Sequence, residues 1–535
     1  MNRLLILAAL GGAVTAVPAA AQRQRSIDPY IEASQVLDAD LNSGDVLTYT
    51  SIAAGVDAVA RSRRVEVQIS YRYERRISWD DNVADDDVHS GLARASVAIA
   101  PGATIEGGAL ATRARSDIRG DAPGNLAGNV GNTSQVYSAY AGPTLATKLG
   151  EATVNAGYRF GYTKVESPSL PATLPGQPRL DNYDDSTNHL ATASVGVRAG
   201  DVLPVGVTVS GAWEREDVSQ LDQRYEGVYA RGDLVLPVTP TVALVGGAGY
   251  EKIEISQRDA LVDPNTNAPV VDNNGRFVTD PASPRRLAYD TDGLFWDAGV
   301  VWRPSRRLTL EARVGERYDT MSYTGSLSYQ INSSSALQVG VYDSVNSFGR
   351  GLRRTLTDTP TAFNVGNDPF GDRFNGCVFG NAGAAGTCLN PLLGSISTAS
   401  FRSRGIVGVY SANVGRTSFG LGAGYDNRKF LMAGSSVPGL DLNGLSDETW
   451  FVDASVGRAL TRRSSIGANA YFNYFNPGLP GAPDVVGGGA NGSYSYSFGH
   501  FDAIASLGIY AFDQDLPGYE TDVSAQAQLG MRYSF

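Results

Sequence analysis

The feature that most restricts this chain is an alternation of apolar and polar residues with a period of two, repeated along most of its length. The C-terminal segment is the clearest case. Val523, Ala525, Ala527, Leu529, Met531, Tyr533 and Phe535 fall on one face, and Ser524, Gln526, Gln528, Gly530, Arg532 and Ser534 on the other. Successive side chains of a strand point to opposite faces, so this is a strand with one apolar and one wet face. Val65, Val67, Ile69, Tyr71 and Tyr73 alternate in the same way with Glu66, Gln68, Ser70, Arg72 and Glu74. So do Leu308, Leu310, Ala312 and Val314 with Thr309, Glu311, Arg313 and Gly315. Val205 to Trp213 and Ile466 to Tyr474 repeat the pattern. About 22 such segments can be marked, most of them longer than the ~5–6 residues of a globular strand. They suit the ~9–11 residues with which a tilted strand crosses a bilayer. Aromatic residues close several of the apolar faces, as interfacial girdles do.

Connection lengths point the same way. Short ones (Arg61 to Arg64, Pro101 to Ala103, Lys148 to Ala152, Arg416 to Ser418) largely alternate with long ones. The long ones include Asp80 to His89, Ser116 to Thr133, Glu166 to Asn188, Gln257 to Asp290, Ser344 to Ser400 and Asn476 to Gly489. The expected fold is an all-β, transmembrane, antiparallel up-and-down barrel of about 22 strands, within a range of roughly 18 to 24. Its short turns face the periplasm and its long loops face outward. Closure is what makes such a chain viable in lipid, because it pairs every backbone group and leaves no sheet edge.

Composition removes the competitors. No apolar run after the N-terminus approaches the ~20 residues of a membrane helix. A pI near 4.9 and a net charge of −11 provide no basic field for nucleic acid. Glycine is 62 of 535 residues and tyrosine outnumbers phenylalanine, 26 to 18, which suits strands better than disorder.

The N-terminus has the three parts of a secretory signal peptide: Arg3, the apolar stretch Leu4 to Val17, and Ala19-Ala20-Ala21 before Gln22. Residues 1–21 are therefore expected to be cleaved, with 22–535 forming a single outer-membrane barrel domain that carries an insertion at 344–400. A first strand near Tyr30 leaves no room for an N-terminal globular plug. That counts against a TonB-dependent transporter, a class expected to have ~22 strands and a filled lumen.

The insertion holds Cys377 and Cys388, which in an exported chain are expected to form a disulfide that staples the loop. Phe363, Phe370, Phe374 and Phe379 make it too aromatic for disorder. Two placements stay open: a constriction or lid folded into the pore, or a cap outside it.

The wet faces nominate lumen-lining residues: Glu66, Arg72, Glu74, Glu311, Arg313, Gln526, Gln528 and Arg532. They either hydrate the wall and pair across strands or set solute selectivity. Asp80, Asp81 and Asp85 to Asp87, like Asp181, Asp184 and Asp185, read as solvated charge rather than a calcium site. No pattern calls for a metal or a cofactor. His89 and His189 lie near acidic residues, and His500 near a short turn. No strained nucleophile elbow accompanies them, so an enzyme is not expected.

Leu529, Met531, Tyr533 and Phe535 resemble the terminal signal that the barrel-insertion machinery reads. Val300 to Leu310, continuing with Arg313 and Glu316-Arg317-Tyr318, resembles the repeating hairpin unit of the β-barrel porin 2 family. The resemblance implies an outer-membrane barrel of a kind that occurs with exopolysaccharide systems. The functional expectation is accordingly a porin-like channel for polar solutes or polysaccharide, with outer-membrane lipid around it. The alternatives are a structural or adhesive surface barrel with a closed lumen and, third, an outer-membrane hydrolase.

Overall fold

A computed structural model describes residues 24–535 except 80–84, 117–132, 168–182, 267, 275, 366–369, 371–373, 375, 382, 395, 435–442, 479–481 and 516–519. The expected signal peptide, and Asp80, Asp81 and Asp181, lie outside the described residues.

Twenty-two strands form one antiparallel sheet that closes on itself. Each strand pairs with the next along the chain, from Gln24–Asp40 with Val46–Arg61 to Phe501–Gln514 with Asp522–Ser534. The ring closes between the first strand and the last, in register from Tyr30↔Ser534 to Asp40↔Ser524. This chain is an outer-membrane β-barrel. The alternation decides which way each face points. In the last strand Leu529 is 70% exposed toward lipid, whereas Gln526 and Gln528 are buried inside. Leu294, Val209 and Leu507 are likewise among the most exposed residues, as an apolar belt requires. Outward aromatics mark both rims: Trp79, Tyr158 and Trp450 at the long-loop end, and Phe498, Phe501 and Phe535 at the short-turn end.

The strands run further than the alternation suggested. They begin at Asp86, Asp185, Arg286 and Val485, several residues inside the expected loops, and the first begins at Gln24. The backbone ladder continues above the lipid because ring pairing satisfies N–H and C=O whatever the side chain is; Gln24, for example, pairs with Arg61. Side-chain polarity loses its period there, so the sequence pattern stops short of the ladder.

The barrel is not hollow. Between the strands Ser335–Asn346 and Ser400–Val414 the chain turns into the lumen. It forms a helix, α1 (Phe348–Asp358), a two-stranded hairpin of Cys377–Phe379 with Gly386–Cys388, and a short helix, α2 (Asn390–Leu393). The insertion expected at 344–400 is thus a lumen filling and not an outer cap.

Candidate functional site

The helix α1 forms where the sequence supplies both a start and a face. Ser347 is its N-cap, accepting from the Arg350 backbone N–H at 3.3 Å. Phe348, Leu352 and Leu356, spaced four apart, are buried. They meet inward-pointing wall residues that break the polar-inside rule: Leu92, Leu110, Val136, Val165 and Val218. Burying each apolar helix side chain contributes on the order of 2 kcal/mol. Gly349 allows the helix to lie flat on the wall, since a β-carbon there would sit 2.6 Å from Glu216 Oε1 and collide with Ser186.

A buried ionic cluster clamps this helix to the strand Gly206–Val218. Arg350 Nε lies 3.6 Å from Glu216 Oε2, and its Nη1 lies 3.6 Å from Glu214 Oε2. Its Nη2 donates to the Val345 carbonyl at 2.8 Å. Arg353 Nη2 donates to Glu214 Oε1 at 2.6 Å, and the Ser347 hydroxyl donates to Glu216 Oε2. Burial opposes the charge of Arg350, but Tyr225, Glu214 and Glu216 outweigh it and raise its pKa. Burial pushes the Tyr183 hydroxyl well above its ordinary value, so it stays protonated, donating to Ser186 Oγ at 2.7 Å. At the other end of α1, Arg94 donates to the Thr359 and Thr357 carbonyls at 2.9 and 3.1 Å, where helix carbonyls lack partners.

The filling is tied to the wall around much of the ring. The Gln68 side chain clamps the Phe363 backbone, donating to its carbonyl at 2.7 Å and accepting from its N–H at 3.2 Å. Phe370 packs with Val36, Tyr49 and Tyr510. Cys377 and Cys388 form the disulfide directly across the hairpin. The hairpin lies on a row of inward glycines in the strand Thr417–Leu431: a β-carbon at Gly420 would collide with Phe379, and one at Gly422 with Cys377.

The residues nominated from the sequence are placed as follows. Arg72 bridges Glu32, at 3.0 Å, and Glu74, while Glu74 also accepts from Ser51 at 2.8 Å and Arg76 at 3.0 Å. Arg313 holds Glu311 at 2.6 Å and both Asp233 and Asp297 at 2.9 Å. Gln526 donates to Asp38 at 2.8 Å, Gln528 to Ser34 at 3.0 Å, and Arg532 to Asp57 at 3.1 Å. Glu66 lies at the short-turn rim, 3.9 Å from Arg61. These groups are knitted into the wall in several separate networks and do not converge on one site. Leu529, Met531 and Phe535 face outward, and Tyr533 contacts the rings of Phe501 and Phe535.

The acidic loop residues Asp85 and Asp87 are ion-paired with Arg75 at 2.9 and 2.8 Å. Asp184 pairs with Arg276 at 2.8 Å. His89 and His189 are not loop residues: each sits on a strand's outer face, its Nδ1 2.7 Å from a tyrosine hydroxyl, Tyr71 or Tyr158. Aromatic rings surround both, so they belong to the interfacial girdle and point away from the lumen. Both histidines face lipid and rings, so among the described residues neither is set against a nucleophile.

Glu214, Glu216, Arg350, Arg353 and Arg94 were not anticipated. The alternation of Val205 to Trp213, carried on by two steps, reaches Glu214 and Glu216 on the inward row. The capped Phe348–Leu352–Leu356 pattern was equally readable as a helix.

No protein-family model matches the chain, and no curated protein sequence does. Among solved structures, an iron transporter, FrpB of Neisseria meningitidis, superposes with a TM-score of 0.44 at 9% identity, covering 95% of this chain and 81% of that one. The siderophore receptor PiuA of Acinetobacter baumannii gives 0.43 at 10%, covering 94% and 82%, and the copper transporter OprC gives 0.40 at 12%, covering 96% and 82%. The expectation of a porin-like channel, or of a barrel tied to polysaccharide export, is corrected. The matched structures are named as iron, siderophore and copper transporters and receptors. The correction rests on the lumen: an internal segment occupies the space an open pore needs. The first strand begins at Gln24, and the filling of the lumen comes from the middle of the chain.

Proposed function

We propose that this chain is a gated outer-membrane barrel that takes up a small solute, closed at rest by α1, the disulfide hairpin and α2 and opened when α1 leaves its wall. The observation that carries this reading is the buried clamp of Arg350 and Arg353 on Glu214 and Glu216. A filling meant only as static packing has no need of buried ions, since well-packed apolar residues of like volume serve as well or better. A clamp of ions, by contrast, can be undone by a competing charge. The filling enters from the long-loop end, where a solute from outside arrives. Planar-bilayer conductance tests the reading. The intact barrel is expected to be silent, and a barrel with 348–393 replaced by a short Gly-Ser linker is expected to conduct in large discrete steps. Large steps from the intact barrel in plain salt would overturn it.

A further inference from the structure

This acidic chain gathers unpaired basic charge on one arc of its short-turn rim. The whole sequence carries −11. Yet the short connections at 303–307, 332–335, 414–417 and 458–464 hold seven arginines and no aspartate or glutamate. Six stand in or beside the turns: Arg303, Arg306, Arg307, Arg416, Arg462 and Arg463. The seventh, Arg458, follows Val452 and Val456 on the outward row of the strand Ser446–Ala459. All of them are exposed, and among the described residues none of them is ion-paired. Arg307 donates to the Ile331 carbonyl at 3.5 Å and Arg416 to the Leu460 carbonyl at 3.4 Å, which orients both on the rim and leaves their charge in place. Neighbouring strands lie ~4.8 Å apart, and five steps of the ring separate Leu308–Arg317 from Ser446–Ala459, so the arc spans roughly 24 Å. Elsewhere on this rim Glu151 and Asp201 stand beside Lys148 and Arg198, and Glu66 meets Arg61 at 3.9 Å.

The neighbours of the arc decide what it meets. Exposed apolar side chains of the lipid belt run up to it: Trp302 precedes Arg303, and Val456 and Leu460 flank Arg458. The guanidiniums therefore stand where the hydrocarbon ends. An arginine at that depth lays its stem on apolar surface and keeps its head among polar groups. Its planar fork of donors fits a phosphate. An acidic soluble protein would leave the apolar row beneath the arginines uncovered, whereas acyl chains cover it.

We propose that this arc is a binding surface for anionic phospholipids of the periplasmic leaflet, with their phosphates on the arginines and their chains against Trp302, Val456 and Leu460. The proposal goes beyond the gated-barrel reading and does not rest on it. The folded barrel would be reconstituted in phosphatidylcholine vesicles with a trace of spin-labelled phosphatidylglycerol or spin-labelled phosphatidylcholine. The fraction of each label immobilised on the protein is then read by electron spin resonance. Phosphatidylglycerol is expected to be preferred about fivefold, the effect of one well-engaged guanidinium at a charged surface. Arg416→Gln, Arg458→Gln, Arg462→Gln and Arg463→Gln together should bring the two labels close to parity. Removing the same charge elsewhere on the rim, by Arg63→Gln, Arg64→Gln, Lys148→Gln and Arg198→Gln, should leave most of the preference. Equal immobilisation of the two labels by the wild type would overturn the surface. So would equal loss in the two variants, which would assign the effect to the charge of the whole rim. A wild type that shows no lipid preference but binds soluble polyglutamate through these arginines would make the arc a dock for an acidic protein, and would overturn the lipid assignment. If the first variant fails the heat-modifiability test for a folded barrel, Arg462→Gln with Arg463→Gln replaces it, and a partial loss is expected. The wild-type preference should also collapse in about 1 M salt, where the screening length falls to ~3 Å; a preference that survives salt would not come from the arginines.

Discussion

Arg350 lies flat on Tyr225, with its guanidinium carbon 3.3 Å from the ring centroid. The ring covers one face of the cation while Glu214 and Glu216 meet its edge. A cation over an aromatic face gains about 2 kcal/mol or more when desolvated. Replacing Arg350 with Met leaves the Glu216 carboxylate in the interior without its cation, while Glu214 keeps Arg353, and breaking a buried pair in this way costs roughly 3–5 kcal/mol. The expected outcome is faster amide exchange across α1 and the appearance of conductance steps in a barrel that is silent as wild type. Unchanged exchange across α1 would show that Arg350 is not the latch.

The Cys377–Cys388 disulfide closes a loop with a sequence separation of 11. Cross-linking a loop of that size is worth about 3 kcal/mol in the chain-entropy model. Cys377→Ser should therefore loosen residues 376–389 without lowering the thermal transition of the barrel, because the hairpin pairs outside the 22-strand ring. Amide exchange resolved by segment reads both quantities. A fall in the barrel's own transition would mean the hairpin supports the wall.

Gly422→Val should displace the hairpin, since a β-carbon at Gly422 would meet both sulfurs of the disulfide. Overpacking of this kind costs about 1–3 kcal/mol. Gly232→Val is the control: nothing lies within 4 Å of a β-carbon there. Limited proteolysis within 376–389 should rise for Gly422→Val alone. Equal rates for the two variants would contradict the seating of the hairpin on the glycine row.

Gln68→Leu leaves the Phe363 N–H without the side-chain acceptor it has at 3.2 Å and removes the donor to its carbonyl. An unsatisfied buried group costs about 1–3 kcal/mol. Residues 361–365 should exchange faster, whereas α1, held by its own clamp, should change less. Loosening that spreads evenly through the whole filling would instead make it one cooperative unit.

Much of this architecture was legible in the chain. The row Gln526, Gln528 and Arg532 opposite Leu529 and Met531 specified in and out for the last strand, and similar rows did so for the others. The lumen contents were not legible in that way. Leu92, Val136 and Val165 look like ordinary strand residues, and nothing local marks them as inward-facing partners of a helix. Glu74 and Arg72 stood out as charges on a wet face, yet their ionic partners, Glu32 and Arg76, leave them built into the wall.

The difference lies in range. A two-residue period is imposed by strand geometry, so every segment carries it independently, and antiparallel hairpins with short turns lead to a closed ring almost without further information. The filling depends on contacts between distant residues: Ser347 reaches Glu216 across 131 positions, and Gln68 reaches Phe363 across 295. Such pairs leave no local signature, because each partner alone is only a polar residue in a strand or a loop. Whether the ring encloses water or its own chain was settled by how those surfaces fit once the barrel had closed around them.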